Sequence, residues 1–537
     1  MAQRRRAPAP QHRAVRAARL CACRWRSARQ RRLLRATPHL RTRADTLDYG
    51  ELLDWIVKQP WSTGRVVGYG RSCPGNAADW MAERNHPGLK GIIPRAVDYD
   101  MFATCFPGGL SNVVMNYGWS NRAAERNRKT LAGDAGAPGV RLVGPGGKAD
   151  LAAALRQREG VPPETEGYKQ ITYRDDRPSV WPDSLADFSI QDAADRVSRW
   201  GGPIQSWSSW FDSATAEGSI RRFIQVANPL SVIIGPWDHS GNNAYDPLRP
   251  AGETIPPNLK EQEANYIRFA KASLNKAGRE RAKIIHYYTL GEGKWKSTRS
   301  WPIPADRRRW YMASGSRLSS SPDAPGFDSL QVDPELGDIT TNRWTTTAAG
   351  GKVDYGDRRP FDAARLAYTS EPFTHDVEIT GHPVVYLNVT STREDGAFYA
   401  YLEAVRPDGV SLYLTEGQLR ALHRKVWNES PFSVLGPQHS FLKRDGEPLT
   451  PGQPATLAFT MHPISALLPA SYRLRVSLAG SNKTNFAMVP EDGRRPTSIS
   501  IAAPPVATSI CRLLSGEQPI LPMKRVRSSG HARSCCV

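Results

Sequence analysis

The apolar positions of this chain change their period twice, and each change marks a different kind of structure. From about Asp45 onward, Leu47, Leu52, Leu53, Ile56 and Val57 recur mostly at i, i+3/i+4 spacing and stop near Pro60. That spacing predicts an amphipathic helix. Arg65-Val66-Val67-Gly68-Tyr69-Gly70 reads as a short apolar strand with Ser72 just beyond it, residues 77–86 as a helix, and residues 89–97 as a further strand. Strand, tight turn, helix, strand is the rhythm of a mostly parallel sheet.

Residues 120–200 break that rhythm with Arg/Asn/Glu-rich helical pieces, loops and many Trp and Asp, which predicts an insertion of helices. Sheet-like apolar runs return at Pro203–Trp210 and Leu230–Gly235, and residues 260–279 read as a helix. After Ile284-Ile285-His286-Tyr287-Tyr288 the pattern becomes all-β, clearest at Val384–Val389, Phe398–Val405, Ala455–Phe459 and Tyr472–Leu478. Many short strands separated by Gly, Pro, Asp and Asn indicate a sandwich or jelly roll. No internal repeat of 20–50 residues is visible.

The 537 residues suggest two to four domains at ~150 residues each. An apolar share of 39% supplies more than one core, and no apolar run approaches the ~18 residues of a membrane span. Seven Cys are too sparse for a disulfide scaffold. The net charge of +20 is uneven: residues 1–43 hold 14 Arg and no acid, residues 508–537 add a net +4, and about +2 remains for the body. Five cysteines, Cys21, Cys23, Cys511, Cys535 and Cys536, also lie in these ends, leaving Cys73 and Cys105 in the body. Three origins compete for the ends: binding to nucleic acid or an anionic surface, an organelle transit peptide, and a GC-rich gene read out of frame. The abrupt change of character at both ends favours the third. No apolar stretch of a secretory signal follows the first arginines, so a cytoplasmic location is favoured over a secreted one.

Three segments carry candidate chemistry. Gly70-Arg71-Ser72-Cys73-Pro74-Gly75 places Ser72 on a sharp turn between strand and helix, where a hydroxyl is exposed at the top of a sheet. The five-residue elbow pattern would want Gly at position 74, where Pro stands, so the match is to G-x-S-x-x-G. Trp210-Phe211-Asp212 and Gly235-Pro236-Trp237-Asp238-His239 close the next two apolar runs. Ser, Asp, His is the chain order used by α/β-hydrolases. In that arrangement His239 takes the Ser72 proton and Asp212 fixes the imidazole. Asp238 is the rival acid, but as the immediate neighbour of His239 on an extended segment it points the other way.

These segments, with Gln59-Pro60-Trp61-Ser62-x-Gly64-Arg65-Val66, Phe106-Pro107-Gly108-Gly109 and Ala479-Gly480-Ser481-Asn482-Lys483-Thr484-Asn485-Phe486-Ala487, resemble the cocaine-esterase and X-Pro dipeptidyl-peptidase family, the CocE/NonD serine hydrolases. The resemblance runs from about Asp45 to about Val506. It implies an α/β-hydrolase domain over 44–119 and 201–284, a helical cap over 120–200 and a C-terminal jelly roll over 285–506, between an Arg-rich segment 1–43 and a basic tail 507–537. It places the triad on Ser72, Asp212 and His239 and an oxyanion donor on the backbone of Cys73, where the family usually has Tyr. Family members also carry an extended N-terminal region with the first strands of the sheet and a loop Tyr as second oxyanion donor. Here Arg-rich residues stand in its place, so a hydrolase domain lacking those strands is expected. One missing donor would cost on the order of 2.7–4 kcal/mol of barrier.

The expected substrate is a small-molecule ester or peptide, with no cofactor, no nucleic acid and no membrane partner; a homo-oligomer stays open. No metal triad or paired C-x-x-C occurs, and Cys21-x-Cys23 and Cys535-Cys536 lack zinc spacing. Gly144-Pro145-Gly146-Gly147-Lys148 lacks phosphate-loop spacing and reads as a turn, and Asn388-Val389-Thr390 is a glycosylation pattern within a strand. Besides a serine hydrolase acting as acyl esterase or X-Pro dipeptidase, the alternatives are a non-catalytic jelly-roll binding protein and a truncated, inactive gene product.

Overall fold

The computed structural model describes residues 43–125, 146–156, 162–275, 282–304, 306–324, 326–490, 499–503 and 508–511. Nearly all of the Arg-rich segment, most of the basic tail and residues 126–145 and 157–161 of the expected cap therefore lie outside the described residues.

A six-stranded sheet carries the first half of the fold. Its strands are β1 (Val66–Arg71), β2 (Leu89–Arg95), β3 (Ile204–Ser209), β4 (Leu230–Gly235), β5 (Lys283–Thr289) and β6 (Lys294–Thr298), in that spatial order. The first five run parallel and β6 closes the far edge antiparallel. Adjacent residues of one strand enter different cores: Ile92, Val232 and Ile234 pack into the larger one, Ile93 and Ile233 into a smaller one with Trp207 and Trp237. Burial on both faces is why the centres of β2 and β4 are consecutive apolar residues, Ile92-Ile93 and Val232-Ile233-Ile234, while β3 buries Gln205, Ser206, Ser208 and Ser209 beside Ile204 and Trp207. Helices α1 (Arg43–Val57), α2 (Cys73–Glu83) and α3 (Thr215–Gln225) supply apolar residues to the larger core, and α4 (Leu259–Leu274) supplies Tyr266 and Ala270 to the smaller. Asn258 caps α4 in a capping box with Glu261.

Between β2 and β3 the described residues form short helices, among them Gly147–Arg156, Glu164–Tyr168 and Ala194–Trp200, and no strand. Gly147 and Lys148 open a helix and Gly146 is in a turn just before it, while Gly144 and Pro145 lie outside the described residues.

The second half is mainly antiparallel. Ala397–Val405 pairs with Ser411–Arg420 and Arg473–Ala479, and Val384–Ser391 pairs with Pro454–Thr460 and Ile499–Ala503. Thr508–Cys511 pairs with Arg307–Ala313, so sheet pairing continues into the first residues of the basic tail. The four strands singled out by alternation are all present, and Asn388 sits mid-strand against Thr456. The molecule is an α/β-hydrolase fold joined to a C-terminal antiparallel β jelly roll.

Two expectations need correction. The helix after Ser72 starts at Cys73, not near Ala77, because Pro74 fits the first turn of a helix, where no N–H is needed. The region after residue 285 is not all-β: α5 (Arg343–Ala349) interrupts it, capped by Asn342. Its sequence, Arg-Trp-Thr-Thr-Thr-Ala-Ala, has β-branched residues at three of seven positions and hides the helix from a propensity reading.

Candidate active site

Ser72 sits where β1 turns into α2, with φ 60° and ψ −136°. A positive φ at a non-glycine residue stores strain and needs surroundings that enforce it. Here the Ser72 amide donates to Arg95 C=O at 2.9 Å, and its carbonyl accepts from Gly75 and Asn76 at 2.7 and 3.0 Å. The two glycines of G-x-S-x-x-G explain the offset spacing. A Cβ on Gly70 would lie 2.2 Å from the Pro74 carbonyl, and one on Gly75 would lie 2.5 Å from Val97 Cγ1. The close approach is made by residues 70 and 75, so position 74 is free to be proline. Cys73 is half-buried at the first position of α2.

Asp212 follows β3 and His239 follows β4, so all three residues stand beyond the C-terminal ends of parallel strands, where open α/β sheets bind ligands. His239 Nδ1 lies 2.9 and 3.0 Å from the two oxygens of Asp212. Asp212 is 1% exposed. Asp238 faces elsewhere: it accepts from Ser240 Oγ at 2.6 Å and from the amides of Asn242 and Asn243, fixing its own loop. Burial pulls the His239 imidazolium down, but the charge and hydrogen bond of Asp212 outweigh it, so His239 stands above its ordinary value. With a proton on Nδ1 facing Asp212, Nε2 carries the lone pair of a base.

The serine turn and the histidine loop touch. The Arg71 guanidinium donates to the carbonyl of Ser240. Among the described residues the Ser72 hydroxyl makes no hydrogen bond, to His239 or to the first turn of α2. Catalytic hydrogen bonds of this kind often close only around a substrate. Asp212, His239 and Arg71 line a cavity of about 20 Å³ with Arg95, Trp207 and Gln262, enough for about one water. Arg222 of α3 forks onto Asp79 of α2 at 2.5 and 2.6 Å, both buried, tying the helix that follows the serine to the helix that follows the acid.

The sequence reading missed Arg343, Thr346 and Thr347 of α5, which contact the Asp212 and His239 loops. The one local signal was Asn342, an N-cap type ahead of the segment.

Comparison with known proteins gives the family of the chain. The chain is 34% identical over 485 residues to a protein assigned as a serine esterase from Mycobacterium bovis, covering 84% of this chain and 76% of that one. It belongs to the CocE/NonD family of serine hydrolases. Residues 36–241 match the X-Pro dipeptidyl-peptidase (S15 family) domain, and residues 276–505 match the X-Pro dipeptidyl-peptidase C-terminal non-catalytic domain. A cocaine esterase from a Rhodococcus species is 25% identical over 416 residues, covering 72% of this chain and 70% of that one. A CocE/NonD family hydrolase from Staphylococcus aureus shares the fold with a TM-score of 0.62 at 16% identity, over 88% of this chain and 76% of that one. An alpha-amino acid ester hydrolase does so at 0.63 and 19%, over 90% and 82%. No helix among the described residues is long and apolar enough to cross a membrane.

Proposed function

We propose that this CocE/NonD hydrolase cleaves a small-molecule ester through an acyl-enzyme on Ser72. The observation that carries the reading is the buried Asp212 carboxylate on His239 Nδ1. His239 Nε2 takes the Ser72 proton as Oγ attacks the carbonyl carbon. Negative charge develops on the carbonyl oxygen and is met by the Cys73 amide at the N-terminus of α2. The imidazolium, stabilised by Asp212, returns the proton to the departing alcohol. A water then attacks the acyl carbon as it passes a proton to His239; the bond from the acyl carbon to Ser72 Oγ breaks, His239 returns the proton to Oγ, and the carboxylic acid departs. The esterases among the relatives favour an ester over an X-Pro peptide as substrate.

A fluorophosphonate probe tests the nucleophile: it should label the intact chain, and Ser72→Ala should abolish labelling. Labelling that persists in the alanine variant overturns the assignment. Substrate class follows from rates on an acyl ester and an X-Pro anilide, with the ester expected to be cleaved faster.

A further inference from the structure

The C-terminal part of the chain matches a domain described as non-catalytic, yet one of its helices grips both loops behind the candidate site. Thr347 Oγ1 donates to Asp212 Oδ1 at 2.5 Å. Thr346 Oγ1 accepts the backbone N–H of His239 at 3.2 Å. Arg343, fully buried, donates through Nε and Nη2 to the Ser213 carbonyl at 2.9 and 2.6 Å, and its own carbonyl accepts the Ser213 amide at 2.9 Å. Ser213, next to the acid, has φ 45°, a conformation that the surrounding bonds must enforce.

We infer that α5 is a positioning element for the acid–histidine pair, and that Thr347 is its decisive residue. This inference rests on the assignment of Asp212 and His239 above. The carboxylate of Asp212 meets His239 Nδ1 with both oxygens at nearly equal distance, so little in that contact alone fixes its rotation. Thr215 Oγ1 reaches the other oxygen only at 3.5 Å. Thr347 supplies the short bond that fixes it. Its single hydroxyl proton has a second acceptor, the Arg343 carbonyl, at 3.1 Å. The contact to the charged carboxylate is shorter and is the stronger of the two. Thr346 holds the histidine from the same turn of helix. One rigid element thus sets both members, as a preorganised site requires. Thr347 touches no reacting atom, so its role is to position Asp212.

The test compares Thr347→Val, which keeps the shape and removes the hydroxyl, with Thr347→Ser, which keeps the hydroxyl. Both are made in the full chain. Fluorophosphonate labelling of Ser72 should slow about 10- to 100-fold in T347V, the scale of a small misplacement, and return to within a few-fold of wild type in T347S. A second readout needs no activity. In chain labelled with ¹⁵N-histidine, the His239 Nδ1–H resonance, assigned by its loss in His239→Gln, should shift in T347V and be restored in T347S. A T347V chain that keeps the wild-type resonance overturns the positioning role, whether or not the chain labels. Failure of the wild type to label Ser72, with the resonance shifting as expected, instead counts against the hydrolase reading alone.

Discussion

In the proposed mechanism the His239 imidazole must be neutral at Nε2 to receive the Ser72 proton, and Asp212 opposes that neutrality. Because the pair lifts His239 above its ordinary value, labelling of Ser72 should rise with pH through a midpoint above about 6.5. Asp212→Asn removes the opposing charge and leaves burial to act alone. Its midpoint should fall below that of the wild type, with a plateau rate lower by on the order of 10⁴-fold. A pH profile unmoved by the substitution would separate Asp212 from the base. Linkage runs the other way. The protonated pair contributes stability that is fully present below the unfolded value and is lost as pH rises through the raised folded value. The reactive form of the site is therefore its less stabilised form. Gly70 is equally exacting: Gly70→Ala drives a Cβ into the Pro74 carbonyl at 2.2 Å, so it should lower the denaturant midpoint by the equivalent of about 1–3 kcal/mol and slow labelling.

At the scale of elements, β1 is an edge strand among the described residues. It pairs with β2 on one side only among the described residues. Ser72 N–H and Val66 N–H point to β2, so the alternation directs the backbone groups of Val67, Tyr69 and Arg71 to the open edge. Leu47, Trp55, Trp61 and Tyr69, all between 39% and 53% exposed, lie on α1, on the loop that follows it and on β1. An unpaired edge flanked by exposed aromatic rings invites pairing with another chain. Sedimentation velocity should show concentration-dependent association, and Trp55→Lys with Trp61→Lys should reduce it; a monomer at all concentrations would count against this.

The same elements show what the sequence disclosed. Runs such as Leu230–Gly235 were legible because burial on both faces makes their centre, Val232-Ile233-Ile234, consecutively apolar, and Asp212 and His239 were legible because they follow such runs. The glycine pair around Ser72 was legible as a pattern, but its spacing acquired a cause only once Gly70 met Pro74 and Gly75 met Val97. Helix α5 was not legible. Its three threonines argue against a helix, and the partners that hold it, Ser213 and Asp212, lie more than 120 residues away.

For the whole molecule, the jelly roll buries a charge network whose protonation sets stability far from the site. Arg358 holds Asp338 at 2.5 and 3.0 Å, and Arg365 meets the same carboxylate at 3.1 Å. Arg475 meets Asp362 at 2.8 Å. Glu403, fully buried, lies 3.5 Å from Arg358 Nε and accepts from Ser477 Oγ at 2.8 Å, with Asp362 on the same hydroxyl at 3.3 Å. Burial, with the Asp362 carboxylate next in weight, pushes Glu403 up to about 8. Between its unfolded value of about 4.3 and that folded value, the native state holds a proton that the unfolded chain has lost. Stability must then fall as pH rises through this interval, by on the order of 2–5 kcal/mol, and level off above it. Glu403→Gln keeps the shape without the titration. Its unfolding midpoint in urea should match the wild type near pH 5, exceed it near pH 9, and decline less between them; parallel curves would show that Glu403 stays ionised throughout. His239 loses its stabilising proton with the same sign, so the two effects add across the pH range in which the candidate base becomes competent. Glu403→Gln should therefore widen the alkaline range in which the chain stays folded while leaving the pH midpoint of Ser72 labelling where Asp212 sets it.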